Sequence, residues 1–160
     1  MSRSIYAPHM PTLRAIIEDT GVESLTQITR RPGVGDVYRL AIFRHDGQAR
    51  DSVATIIQRG RDDIRLELTH RAALNRRALV YAIPFRRYEP FVAALQSIRF
   101  DQLRDQPDLP LYSIDLWLME RAAGSFTRGV IVAPALATDA YAILVDAMRQ
   151  YLPEALREAR

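Results

Sequence analysis

The chain has 160 residues, the size of one typical domain, and its 48% hydrophobic and 26% charged residues are the balance of a globular rather than a disordered protein. It contains no Cys, which excludes disulfides, thiolate nucleophiles and cysteine-ligated zinc or iron–sulfur clusters. All 22 basic residues are Arg, so lysine Schiff bases and phosphate-binding loops of the GKS or GKT type are excluded as well. The net charge of +3 is too small for a general nucleic-acid binder.

The sequence carries no membrane or secretion signal. Its apolar runs are shorter than the roughly 20 residues that span a bilayer, and residues 1–9 lack the apolar core of a signal peptide. We therefore expect a cytoplasmic protein with no membrane partner. We also expect a single globular domain over residues 1–160, with a loose arm at 1–10 and a tail at 153–160 that can fray after Pro153.

Short periodic segments separated by turns fill the first half of the chain. A helix is predicted over 11–19, ended by Thr20 and Gly21. Strands with apolar residues at alternating positions are predicted, in order, at 24–31, 37–44, 52–59, 64–69 and 77–86. Asp46-Gly47 is a hairpin turn signal, and Pro84 predicts that the last of these strands ends there or lies at a sheet edge.

The second half contains a helix, a hairpin and a further helix. The first helix is predicted over 88–103, the hairpin strands over 111–121 and 126–133, and the last helix over 138–152. Trp117 and Met119 alternate with Leu116 and Leu118 along the first hairpin strand. If the last helix covers Leu116 and Leu118, then Trp117 and Met119 lie on the side without a helix, where they can contact a partner.

These elements together predict an α+β fold. Consecutive strands joined by short turns pair antiparallel, which gives a mostly antiparallel sheet of six or seven strands. Two or three helices should pack largely on one face of this sheet. The predicted order is α-β-β-β-β-β-α-β-β-α.

No segment of the sequence has the pattern of a known catalytic or metal site. The Gly-rich stretch 31–36 leads into a strand instead of a helix, and there is no GxSxG motif. The imidazoles, His9, His45 and His70, do not have metal-ligand spacing. We assign no catalytic residue, no metal ligand and no cofactor; His70 is the best candidate for a general base, by position alone.

Positive charge is concentrated between Arg59 and Arg87. This segment contains eight Arg against Asp62, Asp63 and Glu67, a local net charge of +5. Such a patch can bind a phosphate backbone with salt-sensitive affinity. The residues proposed for this contact are Arg71, Arg76, Arg77, Arg86 and Arg87.

Three functions follow as hypotheses. The first is a non-catalytic protein-binding or regulatory module that uses Trp117 and Met119 for a protein partner or for self-association. The second is a nucleic-acid-binding module that uses the Arg-rich segment. The third is a hydrolase or metal enzyme centred on His70.

Overall fold

A computed structural model describes residues 8–73 and 77–160, and within these ranges it contains four α helices and six strands. The helices are α1 (Met10–Thr20), α2 (Leu25–Thr29), α3 (Phe85–Ser97) and α4 (Asp139–Tyr151). The strands are β1 (Val37–Phe43), β2 (Ser52–Gln58), β3 (Ile64–His70), β4 (Leu79–Ala82), β5 (Leu116–Ala123) and β6 (Phe126–Val132). Short 3-10 turns lie at Phe100–Gln102, Pro134–Leu136 and Pro153–Leu156.

The six strands form one antiparallel sheet in the order β4-β3-β2-β1-β5-β6, which confirms the predicted α+β class. Strand β1 lies inside the sheet and pairs with both β2 and β5, so that Ile42 is opposite Ser52 on one side and Trp117 on the other. The predicted Asp46-Gly47 turn joins β1 to β2, with Gly47 at a φ of 67°, a conformation that favours glycine. Strands β4 and β6 form the two edges.

Helices cover both faces of the sheet. Helices α3 and α4 pack on one face, where Phe91 and Leu144 contact a core that includes Leu40 of β1. Helix α1 packs on the other face, through Leu13 and Ile16. Because both faces are covered, the central strands are apolar on both sides; β2 is buried at six of its seven positions.

The prediction that Trp117 and Met119 lie on the side of the sheet without a helix is wrong. Both residues point toward α3 and α4 and are buried, with exposed fractions of 5% and 0%. Leu116 and Leu118 instead face α1. The alternation along β5 was correct, but a strand with apolar residues on both faces does not reveal which face a given helix covers.

Residues 24–31, predicted as a strand, contain helix α2. The hydroxyl of Ser24 accepts a hydrogen bond from the backbone N–H of Gln27 at 3.3 Å, which caps the helix. Leu25 and Ile28, three positions apart, are the buried residues of its single turn. Four strands, and not five, therefore precede the next long helix.

Two other predicted strands are shorter in the structure. Strand β4 ends at Ala82 and lies at the sheet edge, as Pro84 indicated, and α3 begins immediately after that proline. Arg86 and Arg87 therefore belong to the first turn of α3. On the other side of the sheet β5 begins only at Leu116, because Ser113 has a φ of 64° and interrupts the extended chain.

Candidate functional site at the end of the sheet

A cavity of about 400 Å³ opens where β1 ends and β5 begins. We call it the sheet-end cavity. Its walls come from the β1–β2 turn, the segment before β5, the segment after β6, helix α4 and the C-terminal tail. The lining residues are Ile42, Arg44, His45, Ser113, Ile114, Asp115, Trp117, Pro134, Ala135, Arg149, Leu156 and Glu158.

The inner wall is apolar. Ile42, Trp117 and Leu156 contribute to it, together with Ile114 and Pro134. The indole of Trp117 is largely enclosed by the core, so it is a fixed part of this wall and not an outward anchor. A concave apolar surface fixed by core packing is the usual setting for binding an apolar side chain.

His45 and Asp115 form the closest polar contact in the cavity. The Nδ1 atom of His45 lies 2.6 Å from Oδ1 of Asp115, and the same oxygen accepts a hydrogen bond from the backbone N–H of His45 at 2.9 Å. These contacts hold the β1–β2 turn against the chain just before β5. When Nδ1 carries the proton, the imidazole presents Nε2 as an acceptor.

The C-terminal tail is bonded to this end of the molecule. The buried guanidinium of Arg44 donates to the carbonyl oxygens of Arg50 at 2.9 Å and Leu156 at 3.5 Å. The backbone N–H of Arg50 donates to the carbonyl of Ala159 at 2.7 Å. These bonds hold Leu156 in the cavity wall. They also mean that the guanidinium of Arg44 already makes hydrogen bonds within the protein.

Polar and apolar residues surround the opening. Arg149 of α4 and Glu158 of the tail are exposed charges among the lining residues. Leu111 and Tyr112, which directly precede lining residue Ser113, are 60% and 83% exposed. An exposed Leu-Tyr pair, next in the chain to a cavity lined by both apolar and charged residues, resembles the arrangement found at protein interfaces, where an apolar centre has a polar rim.

His70, the best candidate for a general base by position alone, makes a contact within the protein. It is a buried residue at the end of β3, and its Nε2 lies 2.9 Å from the carbonyl oxygen of Arg157. This contact ties the C-terminal tail to β3. Among the described residues, no group of three His, Asp or Glu side chains converges as a metal site.

The predicted Arg patch is divided by the fold. Arg71 follows the end of β3, whereas Arg86 and Arg87 follow β4, whose last residue pairs with the beginning of β3. A seven-residue strand, roughly 20 Å long, separates these two positions. Arg71 is paired with Asp19 and Asp51, and Arg87 with Glu154; the Asp19 hydrogen bond raises the pKa of Arg71.

Arg76 and Arg77 are the two remaining residues of the predicted patch. Arg77 is exposed just before β4. Arg76 lies outside the described residues.

The residues of the sheet-end cavity were only partly found from the sequence. Trp117 was singled out, but for an outward surface; His45 was noted only as an imidazole without metal-ligand spacing. The contact between His45 and Asp115 joins residues 70 positions apart, so no local pattern indicates it. The sequence offered one indication of this site, the pair Leu111-Tyr112. These two large residues begin the segment 111–121, which was predicted as a strand but becomes one only at Leu116.

The chain matches no protein-family profile, and no curated protein is similar to it at a significant level. In the described part of the chain, none of the helices has the length and apolarity required to cross a membrane.

Proposed function

We propose that this protein is a non-catalytic protein-binding module that recognises a short extended segment of a partner at the sheet-end cavity. The observation that carries the proposal is the exposure of Leu111 and Tyr112, which directly precede a cavity-lining segment whose apolar partners in the wall include Trp117 and Leu156. Tyr is enriched at protein interfaces because it combines a large apolar ring with a polar group and loses little conformational entropy on binding. The cytoplasm remains the expected location.

The occupant is a peptide segment with an apolar anchor residue. The wall formed by Ile114, Trp117 and Leu156 matches an apolar side chain, and the cavity of about 400 Å³ has room for one large residue. Exposed Arg149 and Glu158 offer one charge of each sign for polar groups that flank the anchor. Such a site uses a few buried contacts for affinity and rim charges for orientation.

Selection of peptides from a random displayed library tests this function. We expect the wild-type protein to enrich sequences that share one large apolar residue at a fixed position. Tyr112→Ser and Leu111→Ser should each weaken binding of the enriched peptide by about tenfold, since each removes on the order of 1.4 kcal/mol of contact. Enrichment of no common sequence would contradict the proposal.

Ile143→Ser is the matched control. Ile143 is an exposed apolar residue on α4, 45% accessible, and it is not among the residues that line the cavity. Its replacement should leave peptide affinity unchanged. If all three variants lose affinity equally, then the peptides bind to apolar surface without specificity, and the proposed site is wrong.

A second candidate function is acid–base catalysis in the same cavity, favoured by the 2.6 Å contact between His45 and Asp115. An imidazole whose Nδ1–H is held by a carboxylate can use Nε2 to take a proton from water as the water oxygen attacks an ester carbonyl. The proton is then passed to the leaving oxygen. This candidate replaces the hydrolase centred on His70, whose Nε2 contacts a backbone carbonyl.

Hydrolysis of p-nitrophenyl acetate separates the two candidates. A catalytic His45 requires a rate above that of free imidazole at equal concentration, and it requires that His45→Gln removes the excess. His9→Gln serves as the control, because His9 is a buried residue at the start of α1. A wild-type rate equal to that of imidazole rules out the catalytic candidate and leaves the binding module.

Binding of nucleic acid is the less supported alternative. Arg71 and Arg87 are ion-paired with carboxylates and lie a strand length apart, which weakens a shared phosphate-binding surface. A labelled oligonucleotide that binds with a steep salt dependence would favour this alternative over the peptide site.

A further inference from the structure

A row of charged and polar side chains crosses the sheet beneath α1 and α2. Arg39 in the middle of β1 pairs in register with Glu120 of β5 and Thr55 of β2, and Thr55 pairs with Glu67 of β3. Cross-strand partners share a sheet face, so these four side chains lie side by side. They are on the face opposite α3 and α4, separate from the proposed peptide site.

Arg39 is a buried cation whose direct partners are neutral. Its exposed fraction is 2%; its Nε donates to the hydroxyl of Thr55 at 3.1 Å, and one terminal nitrogen donates to the carbonyl oxygen of Glu23 at 2.6 Å. The neighbouring Glu120 pairs instead with Arg14, at 2.9 Å. Because the enclosed guanidinium is poorly solvated, burial lowers the pKa of Arg39 to about 10.

A cavity of about 180 Å³ opens onto this row. Arg39, Thr55 and Glu67 line it, and Thr69 lies on its wall two positions along β3. Arg31 and Glu23, which are paired with each other and partly exposed, also line the cavity. The inner surface therefore presents a cation and a carboxylate on either side of Thr55, with a second hydroxyl from Thr69.

We propose that this cavity binds a small zwitterion of the α-amino-acid class. The ligand carboxylate meets the guanidinium of Arg39, the ligand ammonium meets the carboxylate of Glu67, and the Thr55 and Thr69 hydroxyls bond to the same groups. Charge-assisted hydrogen bonds of this kind are about twice as strong as neutral ones. They compensate a buried Arg whose own contacts are to neutral oxygens.

A zwitterion fits the charges better than a simple ion does. A free anion at Arg39 faces repulsion from Glu67, two strands away, and a free cation at Glu67 faces repulsion from Arg39. Only a ligand that carries both charges can pair with both Arg39 and Glu67. Arg39 and Glu67 are two strands apart, roughly 10 Å between Cα atoms, a distance that two side chains and a small ligand can bridge.

Backbone amide shifts in an NMR titration provide the test. Glycine, alanine and serine, added one at a time at millimolar concentration, are expected to shift the amides of Thr55, Glu67 and Thr69. Acetate and ethylamine, which carry only one of the two charges, should cause shifts at least about tenfold smaller at equal concentration. Equal shifts with acetate would overturn the zwitterion, and no shift with any amino acid would overturn the site.

Two variants keep the test decisive even if one of them folds poorly. Glu67→Gln removes the charge that meets the ammonium and keeps the shape of a half-buried side chain, so it should weaken amino-acid binding by about tenfold or more. Arg39→Met should abolish binding. The control is Glu18→Gln, an exposed residue of α1; binding that survives unchanged in Glu67→Gln would overturn the proposal.

Discussion

A single oxygen of Asp115 joins two parts of His45: Oδ1 accepts from the backbone N–H at 2.9 Å and lies 2.6 Å from Nδ1 of the ring. The two residues are 70 positions apart in the chain, and their contact closes one end of the sheet. It fixes the β1–β2 turn relative to Leu111 and Tyr112, the residues proposed to contact a partner. The geometry of the proposed site therefore depends on this pair.

Replacing Asp115 with Ala tests how much its contact with His45 stabilises the fold. Two hydrogen bonds at a partly exposed position are removed, and we expect the free energy of unfolding to fall by about 1 kcal/mol. Urea denaturation measures the change. Asp62→Ala, at an exposed turn position, is the control and should lie within about 0.5 kcal/mol of wild type; equal effects of both variants would mean that the His45 contact contributes nothing.

Tyr38 should ionise at unusually high pH. Burial raises the pKa of its phenol to about 12, and the nearby carboxylate of Asp36 acts in the same direction. Since the folded state holds the proton more tightly than the unfolded chain, whose Tyr pKa is about 10, the stabilising effect is complete below pH 10 and is lost as pH rises toward 12. Ultraviolet titration of wild type and Tyr38→Phe measures this step; a difference that titrates near pH 10 would contradict the burial.

Replacing Arg39 with Met should destabilise the fold, although Met is apolar and of similar length. The variant removes the hydrogen bonds that the guanidinium donates to the Thr55 hydroxyl and to the Glu23 carbonyl oxygen. Hydrogen bonds that involve a charged group contribute about 1.5 to 3 kcal/mol, so we expect the free energy of unfolding to fall by about 2 kcal/mol. Chemical denaturation of Arg39→Met and of the exposed control Arg30→Met checks this; a more stable Arg39→Met protein would show that the row is dispensable.

Gly129 on the edge strand β6 leaves space for the side chain of Glu120. A Cβ at this position would lie 3.3 Å from a methyl group of Leu118 and 3.5 Å from Cγ of Glu120. We expect Gly129→Val to lower stability by about 1 to 3 kcal/mol through overpacking. Thermal unfolding compares it with Gly35→Val, whose nearest side-chain atom, on Gln58, is 3.7 Å away; a larger loss for Gly35→Val would contradict this explanation.

The strands were predictable where alternation was regular, but their faces were not. Tyr38, Leu40 and Ile42 alternate with Arg39 and Ala41, and the structure confirms that β1 is a strand. Because helices cover both faces, the apolar pattern did not identify the side on which α4 packs. Helix α2 was missed since one turn, with Leu25 and Ile28, is too short to show helical periodicity.

The candidate sites depend on contacts that the sequence does not encode locally. Arg39 was assigned to a strand, but its burial results from α1 and α2 lying over that face and from the register that places Glu120 beside it. The Arg-rich segment was visible as composition, and strand pairing then separated its members. Local patterns thus predicted most of the elements, while the sites arise from how distant elements pack.

Methyl and amide NMR shifts caused by an enriched peptide show where on the protein it binds. We expect the shifts to concentrate at Leu111, Tyr112 and Ile114, at the indole of Trp117 and at Leu156, and we expect Tyr112→Ser to remove them. The rival surface is the edge strand β4, where Leu79 and Val80 are exposed and can pair with an added strand. Shifts centred on β4, with the sheet-end cavity unaffected, would contradict the proposed site.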